Sequence, residues 1–205
     1  MARDLSTTPT VPLPRRPPEG GGAWERVRSW YESGLGWPTA PGVPVRLRTG
    51  VRFDALDVPA AAGHAALRRR AHRFPVALRG ERMLLLVAVG GADELPGLLD
   101  WLEWGSLALD LRAVGAGGLM DAPLPPESGP AGLPSSASRS PSPTGRDASQ
   151  GAAVWLRPPE TGSEVETSLP ALSAPGGAGT ALDLARLVHT LATQCHRIRL
   201  SRVPR

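Results

Sequence analysis

The stretch TGVRFDALDVP, Thr49 to Pro59, reads as a strand that carries two acidic residues toward its tip, Asp54 and Asp57, with a proline two positions after the second. Side chains alternate between the faces of a strand, so positions i and i+2 look the same way and positions i and i+3 look opposite ways. Asp54 and Asp57 are three apart and therefore cannot grip one ion together. Upstream, VPVRLR alternates apolar and polar residues and meets this stretch at Gly50, which predicts two short strands joined by a turn.

The same alternation of element types continues in both directions. AWERVRSWYESG places Trp24, Val27 and Tyr31 at helical spacing and ends on Gly34; AAGHAALRRRAH is a second helix. RFPVALRGERMLLLVAVG reads as two strands around Gly80, the second a continuous apolar run of the kind found in central strands. DELPGLLDWLEWG predicts a helix with Asp93 as N-cap, Pro96 in the first turn, Gly105 as C-cap and Leu95, Leu98, Leu99 and Leu102 on one stripe. SLALDLRAV and GAAVWLRP read as further strands, and ALDLARLVHTLATQCHRIRL as a last helix with Leu184, Leu187, Val188, Leu191, Cys195 and Ile198 on one face. These elements predict an α+β fold, a mixed β-sheet sandwich with flanking helices.

Composition sets the limits of that fold. The 205 residues include 24 Gly and 23 Pro, concentrated in a few segments, which leaves about 140 to 150 residues for one domain. Residues 1–22 and 123–150 are Pro/Gly-rich and Pro/Ser-rich with little to bury, and read as a disordered arm and a disordered insertion. The domain then comprises 23–122 and 151–200, followed by a basic tail over 201–205. All 23 basic residues are Arg, so the sequence pI near 10.7 overstates a formal net charge of +4. A single cysteine excludes an internal disulfide. The N-terminal stretch has no apolar core and no segment is long enough to span a bilayer, which predicts a cytoplasmic protein with no membrane role.

Few residues offer chemistry. Cys195 sits on an apolar stripe as a core filler, and His189 and His196, seven apart, are separated by about 10.5 Å along a helix, too far to share a metal. His64, His72, Arg68 to Arg70 and Arg73 form a basic stretch that could face phosphates, with a solvated helix face as the plainer reading. The GAGG run after Val114 has neither the lysine nor the helix of a phosphate loop and reads as a turn. Trp101 and Trp104 lie off the leucine stripe, so their helix is either buried on two sides or offers an aromatic partner surface.

Five segments in order, GLGWPTAPG, TGVRFDALDVP, RGERMLLLV, ALDLRAVGAGGLMDAPLPPE and GAAVWLRPP, resemble the N-terminal primase-polymerase domain of the archaeo-eukaryotic primase superfamily, over Gly34 to Pro159. The resemblance implies that Asp57 and Asp110 hold a catalytic Mg or Mn ion and that Arg112 matches the family arginine; Arg82, Arg68, Arg69 and Arg73 are the candidate nucleotide or nucleic-acid contacts. Two departures stand out: the second aspartate of the family pair falls on Pro59, and the phosphate-binding histidine falls on Met83. The expectation is a primase-polymerase-like domain that has lost catalysis and regulates by binding nucleic acid or protein. The alternatives are an active nucleotidyltransferase that adds Asp54 or Asp121 to the site, and an adaptor acting through Trp101 and Trp104.

Overall fold

The structure, a computed structural model, describes residues 21–68, 73–126, 153–161, 165–172 and 184–202. Most of the expected arm and insertion lie outside the described residues, as does Arg69. In chain order the elements are α1 (Gly21–Ser29), which continues as one π-helical turn over Trp30–Gly34, β1 (Thr39–Ala40), β2 (Arg46–Arg48), β3 (Asp54–Pro59), α2 (Ala60–Leu67), β4 (Val76–Arg79) and β5 (Arg82–Val87). They are followed by α3 (Gly91–Trp101), β6 (Arg112–Val114), β7 (Leu119–Asp121), β8 (Val154–Arg157), a short 3-10 turn over Val165–Ser168 and α4 (Leu184–Ser201).

The strands form a five-stranded sheet in the order β6-β3-β5-β4-β8 and a three-stranded sheet in the order β1-β2-β7. Every pairing among the described strands is antiparallel, so the expected mixed sheet is corrected to two antiparallel ones. The run β3-α2-β4-β5-α3-β6 is a split β-α-β arrangement of the ferredoxin-like kind, because β3 and β4 flank β5 while β5 and β6 flank β3. Neighbouring strands are antiparallel, whereas the strands that each helix joins run the same way one place apart. This is why the order of elements alone suggested a mixture of directions.

Strand β3 is buried along its whole length, so both of its faces are covered. Leu56 and Val58, with Met83, Leu85 and Val87 of β5, face the helices, and Gly63 of α2 is the seat for Met83: a Cβ there would lie 2.2 Å from the Met83 sulfur. Phe53, Ala55 and Asp57 face the other way, toward a column in which Trp37 lies 4.6 Å from Phe53 and stacks on Tyr31 at 6.2 Å. The buried Tyr31 hydroxyl donates to the Pro123 carbonyl at 2.6 Å and accepts from Trp155 Nε1 at 3.1 Å, joining the N-terminal helix to the β7 exit and to β8. Pro123 is thus a buried, anchored residue rather than the start of a disordered insertion. Residues 127–152, which link β7 of the small sheet to β8 on the edge of the large one, lie outside the described residues.

The helices differ from expectation mainly at their ends. α2 reaches only Leu67. α3 begins at Gly91 after Gly90, whose φ of 90° suits glycine, which places Pro96 in the second turn and makes Asp93 a first-turn acid rather than the N-cap. α3 stops at Trp101, ahead of Gly105, and the chain turns at Glu103 with φ 64°. Only Arg112–Val114 of the SLALDLRAV segment is strand, because the Ala108 carbonyl accepts from Arg199 and the Asp110 carbonyl from the Cys195 thiol, which ties this segment to α4 instead of to a sheet.

The Thr49-Gly50 pair docks onto the GAGG turn: Thr49 Oγ1 donates to the Gly115 carbonyl at 2.5 Å, and its backbone N–H donates to Gly118 at 3.1 Å. Gly50 has φ +80°, and a Cβ there would lie 2.2 Å from the Ala116 Cα. Replacing Gly50 with Ala is expected to lower unfolding stability in urea by at least about 2 kcal/mol, through left-handed strain and a backbone clash. Gly97, a helical glycine with open space around it, is the control, and Gly97→Ala is expected to stabilise by roughly 0.5–1 kcal/mol.

Candidate functional site

The site grows from a hairpin. β4 and β5 meet at Gly80-Glu81, which places Arg79 directly opposite Arg82 on one face. Two guanidinium groups facing each other across a turn repel unless carboxylates lie between or beside them. Three do. Arg82 Nε donates to Asp57 Oδ1 at 2.8 Å and its NH1 donates to Asp110 Oδ1 at 2.7 Å, while NH2 reaches the Asp57 carbonyl at 3.0 Å. Arg79 lies 3.7 Å from Asp57 Oδ2 and 3.6 Å from Asp121 Oδ2 on β7.

Register explains the meeting. Asp57 pairs with Leu84 on one side and Arg112 on the other, and Arg82 pairs with Pro59, so Asp57, Arg82 and Arg112 share the face away from the helices. Asp110 joins them from the chain entering β6. The Asp57 side chain is 11% exposed, Arg82 23% and Asp110 48%, so the pair on β3 and β5 lies well inside the surface and Asp110 closes it from the rim. Burial alone works against the Arg82 charge, but the hydrogen bonds and charges of Asp110 and Asp57 outweigh it and raise the guanidinium above its ordinary pKa.

The two residues that depart from the family pattern have structural roles. Pro59 ends β3 and occupies the N-cap position of α2, where its lack of an N–H leaves nothing unsatisfied and its φ of −55° leads into the helix. Met83 points to the helix side, opposite Asp57, into the space left by Gly63. Asp54 also faces the helices: its Oδ2 accepts from the backbone N–H groups of Gly90 at 2.9 Å and Ala92 at 3.0 Å, capping α3 from a distance. It therefore cannot supplement Asp57, and Asp121 is engaged by Arg79.

The other candidates are scattered. Arg112 is exposed on edge strand β6. Arg68, at the C-cap of α2, is exposed on the helix side of the sheet, and Arg73 is exposed shortly before β4. Trp101 is 73% exposed, whereas Trp104 is half-buried between two rings of α4, with centroids 6.0 Å from His189 and 5.8 Å from His196 and its Nε1 donating to His189 Nδ1 at 3.3 Å. Of the two readings of this helix, burial on a second side describes Trp104, which the two histidines clamp, while Trp101 alone stays exposed as an aromatic surface. Cys195 is the core filler expected; burial, reinforced by the Asp110 charge, pushes its thiol up to about 11.

A divalent ion at Asp57 and Asp110 needs several free oxygen donors converging on one point. The donor set does not fit: one oxygen of each carboxylate is already bonded to the same guanidinium, and among the described residues no group of three potential ligands converges. Sequence reading missed Arg79 and the bridging role of Arg82, although the hairpin spacing Arg79-Gly-Glu-Arg82 carries the signal, because a two-residue turn sets its flanking residues opposite each other.

Removing one partner from a largely buried pair leaves an uncompensated charge. Arg82→Met is expected to destabilise by about 2–4 kcal/mol in urea unfolding, with the loss reduced when Asp57→Asn accompanies it. A double-mutant cycle should return a coupling above about 1 kcal/mol for Arg82–Asp57 and a smaller one for Arg82 with the more exposed Asp110.

Comparison with protein-family models, with curated proteins and with solved structures finds no match to this chain.

Proposed function

We propose that this chain is a primase-polymerase-like domain that does not carry out nucleotidyl transfer and acts by binding, as a regulatory factor for nucleic acid or for a protein that handles it. The reading rests on the ordered sequence motifs and on one observation, the Arg82 guanidinium hydrogen-bonded to both Asp57 and Asp110. Nucleotidyl transfer needs divalent ions bridging the attacking hydroxyl and the triphosphate, held by carboxylates whose oxygens are free to ligate. Here an internal cation takes that place, so the carboxylates fix the strand ends of the sheet instead.

The departures from the family pattern support the same reading. Pro59 brings no ligand atom to the end of β3, and Met83 is buried among apolar groups on the far face, where no phosphate could reach it. The split β-α-β topology is compatible with many functions and does not by itself favour one. For an active enzyme with a rearranged site built on Asp57 and Asp110, the candidate additional ligands are engaged elsewhere, Asp54 by the start of α3 and Asp121 by Arg79. An adaptor role through the α3 aromatics retains only Trp101.

The test is template-directed primer synthesis and extension with Mg²⁺ and then Mn²⁺. The expected result is no incorporation above the background of the Asp57→Asn variant. Robust incorporation by the natural chain that disappears in Asp57→Asn would overturn the proposal.

A further inference from the structure

Charge is strongly divided within the helical layer. Between Asp57 and Glu81 there is no acidic residue, and there are five arginines; after Asp183 there is again no acidic residue, and there are five more arginines. The first run contains α2 and the second contains α4, and these two helices pack against each other on the same side of the large sheet. The intervening α3 is the reverse: from Met83 to Leu111 there is no arginine or histidine, while Asp93, Glu94, Asp100 and Glu103 lie on or beside the helix. Net charge of +4 thus conceals one basic and one acidic helical flank.

Arg68 at the end of α2, Arg73 beyond it, and Arg186, Arg197 and Arg202 on or next to α4 are all exposed. Arg186 and Arg197 are eleven residues apart on α4, which returns them to the same side of the helix about 16 Å apart along its axis. Between them the Thr190 and Thr193 hydroxyls turn back onto the carbonyls of Arg186 and His189, so the outer face of the helix carries its charge on arginine alone.

We infer that the α2–α4 face docks the phosphate backbone of a nucleic-acid duplex. A duplex presents about one negative charge per 1.7 Å of axis, a rod-like array that an acid-free pair of packed helices complements. Single strands are held mainly by bases stacking on large aromatic rings, and neither α2 nor α4 carries a Phe, Tyr or Trp, while the His189 and His196 rings of α4 are already packed against Trp104. A membrane-surface helix needs an apolar face to insert, whereas the apolar face of α4 is buried in the core and Leu200 is the one large apolar side chain that α4 exposes. Contacts made by arginine to phosphate position a protein without reading sequence, so the binding is sequence-independent. The acidic α3 flank repels the same rod and limits contact to one side.

This inference does not depend on the primase-polymerase reading, and the two fail separately: loss of duplex binding leaves the catalytic question untouched, and detection of polymerisation leaves this face intact. The experiment is fluorescence anisotropy of the full chain with a labelled DNA duplex and with a labelled RNA duplex, titrated between 50 and 200 mM KCl, beside sedimentation with anionic vesicles. About four neutralised phosphates predict a log–log salt slope near −3.6, or roughly a 150-fold loss of affinity over that range. The Arg68→Glu, Arg197→Glu double variant, checked for folding by circular dichroism, is expected to weaken binding at least about tenfold and to flatten the slope by about two. Arg46→Glu, on the exposed face of β2 in the small sheet, should change affinity less than about twofold. No duplex binding at 50 mM KCl, equal loss in Arg46→Glu, unchanged binding by the folded double variant, or binding to vesicles but not to duplex would each overturn the inference.

Discussion

Two carboxylates on a strand covered on both faces constrain the rest of this protein. A buried ionised carboxylate is stable only when it is paired or generously hydrogen-bonded. β3 meets that requirement differently on each side. On the helix side Asp54 accepts two backbone N–H groups at the start of α3, which fixes where that helix begins and satisfies donors that a glycine-led N-terminus leaves open. On the other side Asp57 is held by Arg82, which fixes the end of β5 against β3 and draws in Asp110 from the entrance to β6. Each acid therefore ties a different neighbour to the central strand.

That arrangement explains why the residues most suggestive of catalysis have structural partners. In a metal-dependent site, neighbouring carboxylates repel one another until the ion arrives. Here the ion's role in neutralising them falls to a guanidinium built into the adjacent strand, whose planar fork reaches both acids at once. Arg79 extends the neutralisation to Asp121, so the large and small sheets are joined by charge at one end and by the Tyr31–Trp37–Phe53 aromatic column at the other. The basic surface lies elsewhere, on α2 and α4 across the sheet, separating what this domain would bind from the place where its resemblance suggests chemistry.

The elements that depend on local periodicity were legible in the sequence. The apolar run Met83–Val87, the stripe from Leu184 to Cys195 and the break at Gly50 predict β5, the buried face of α4 and the β2–β3 turn, because each is a short-range pattern with one solution. The i,i+3 spacing likewise separated Asp54 from Asp57 correctly. What depended on distant partners was not legible. Strand β7 is only three residues long and acquires its identity from pairing with β2; the Ser106–Leu111 segment is pulled out of the sheet by α4. Whether Trp104 was buried or exposed stayed open in the sequence because the two histidines that enclose it are about ninety residues away. Arg82 reads in the sequence as a nucleotide or nucleic-acid contact because the partners it has in the fold lie on β3 and beyond α3.

The central claim is that Arg82 occupies, by hydrogen bonding, the position between Asp57 and Asp110 where the family resemblance implies a divalent ion. Paramagnetic broadening of backbone amide NMR signals by Mn²⁺ tests it most directly, since it reports where the ion sits without requiring turnover. Stoichiometric Mn²⁺ should leave the amides of Asp57, Arg82 and Asp110 no more broadened than the rest of the exposed acidic surface, and the Arg82→Ala variant, if folded, should gain selective broadening there. Selective broadening of these amides in the natural chain at stoichiometric Mn²⁺ would contradict the account.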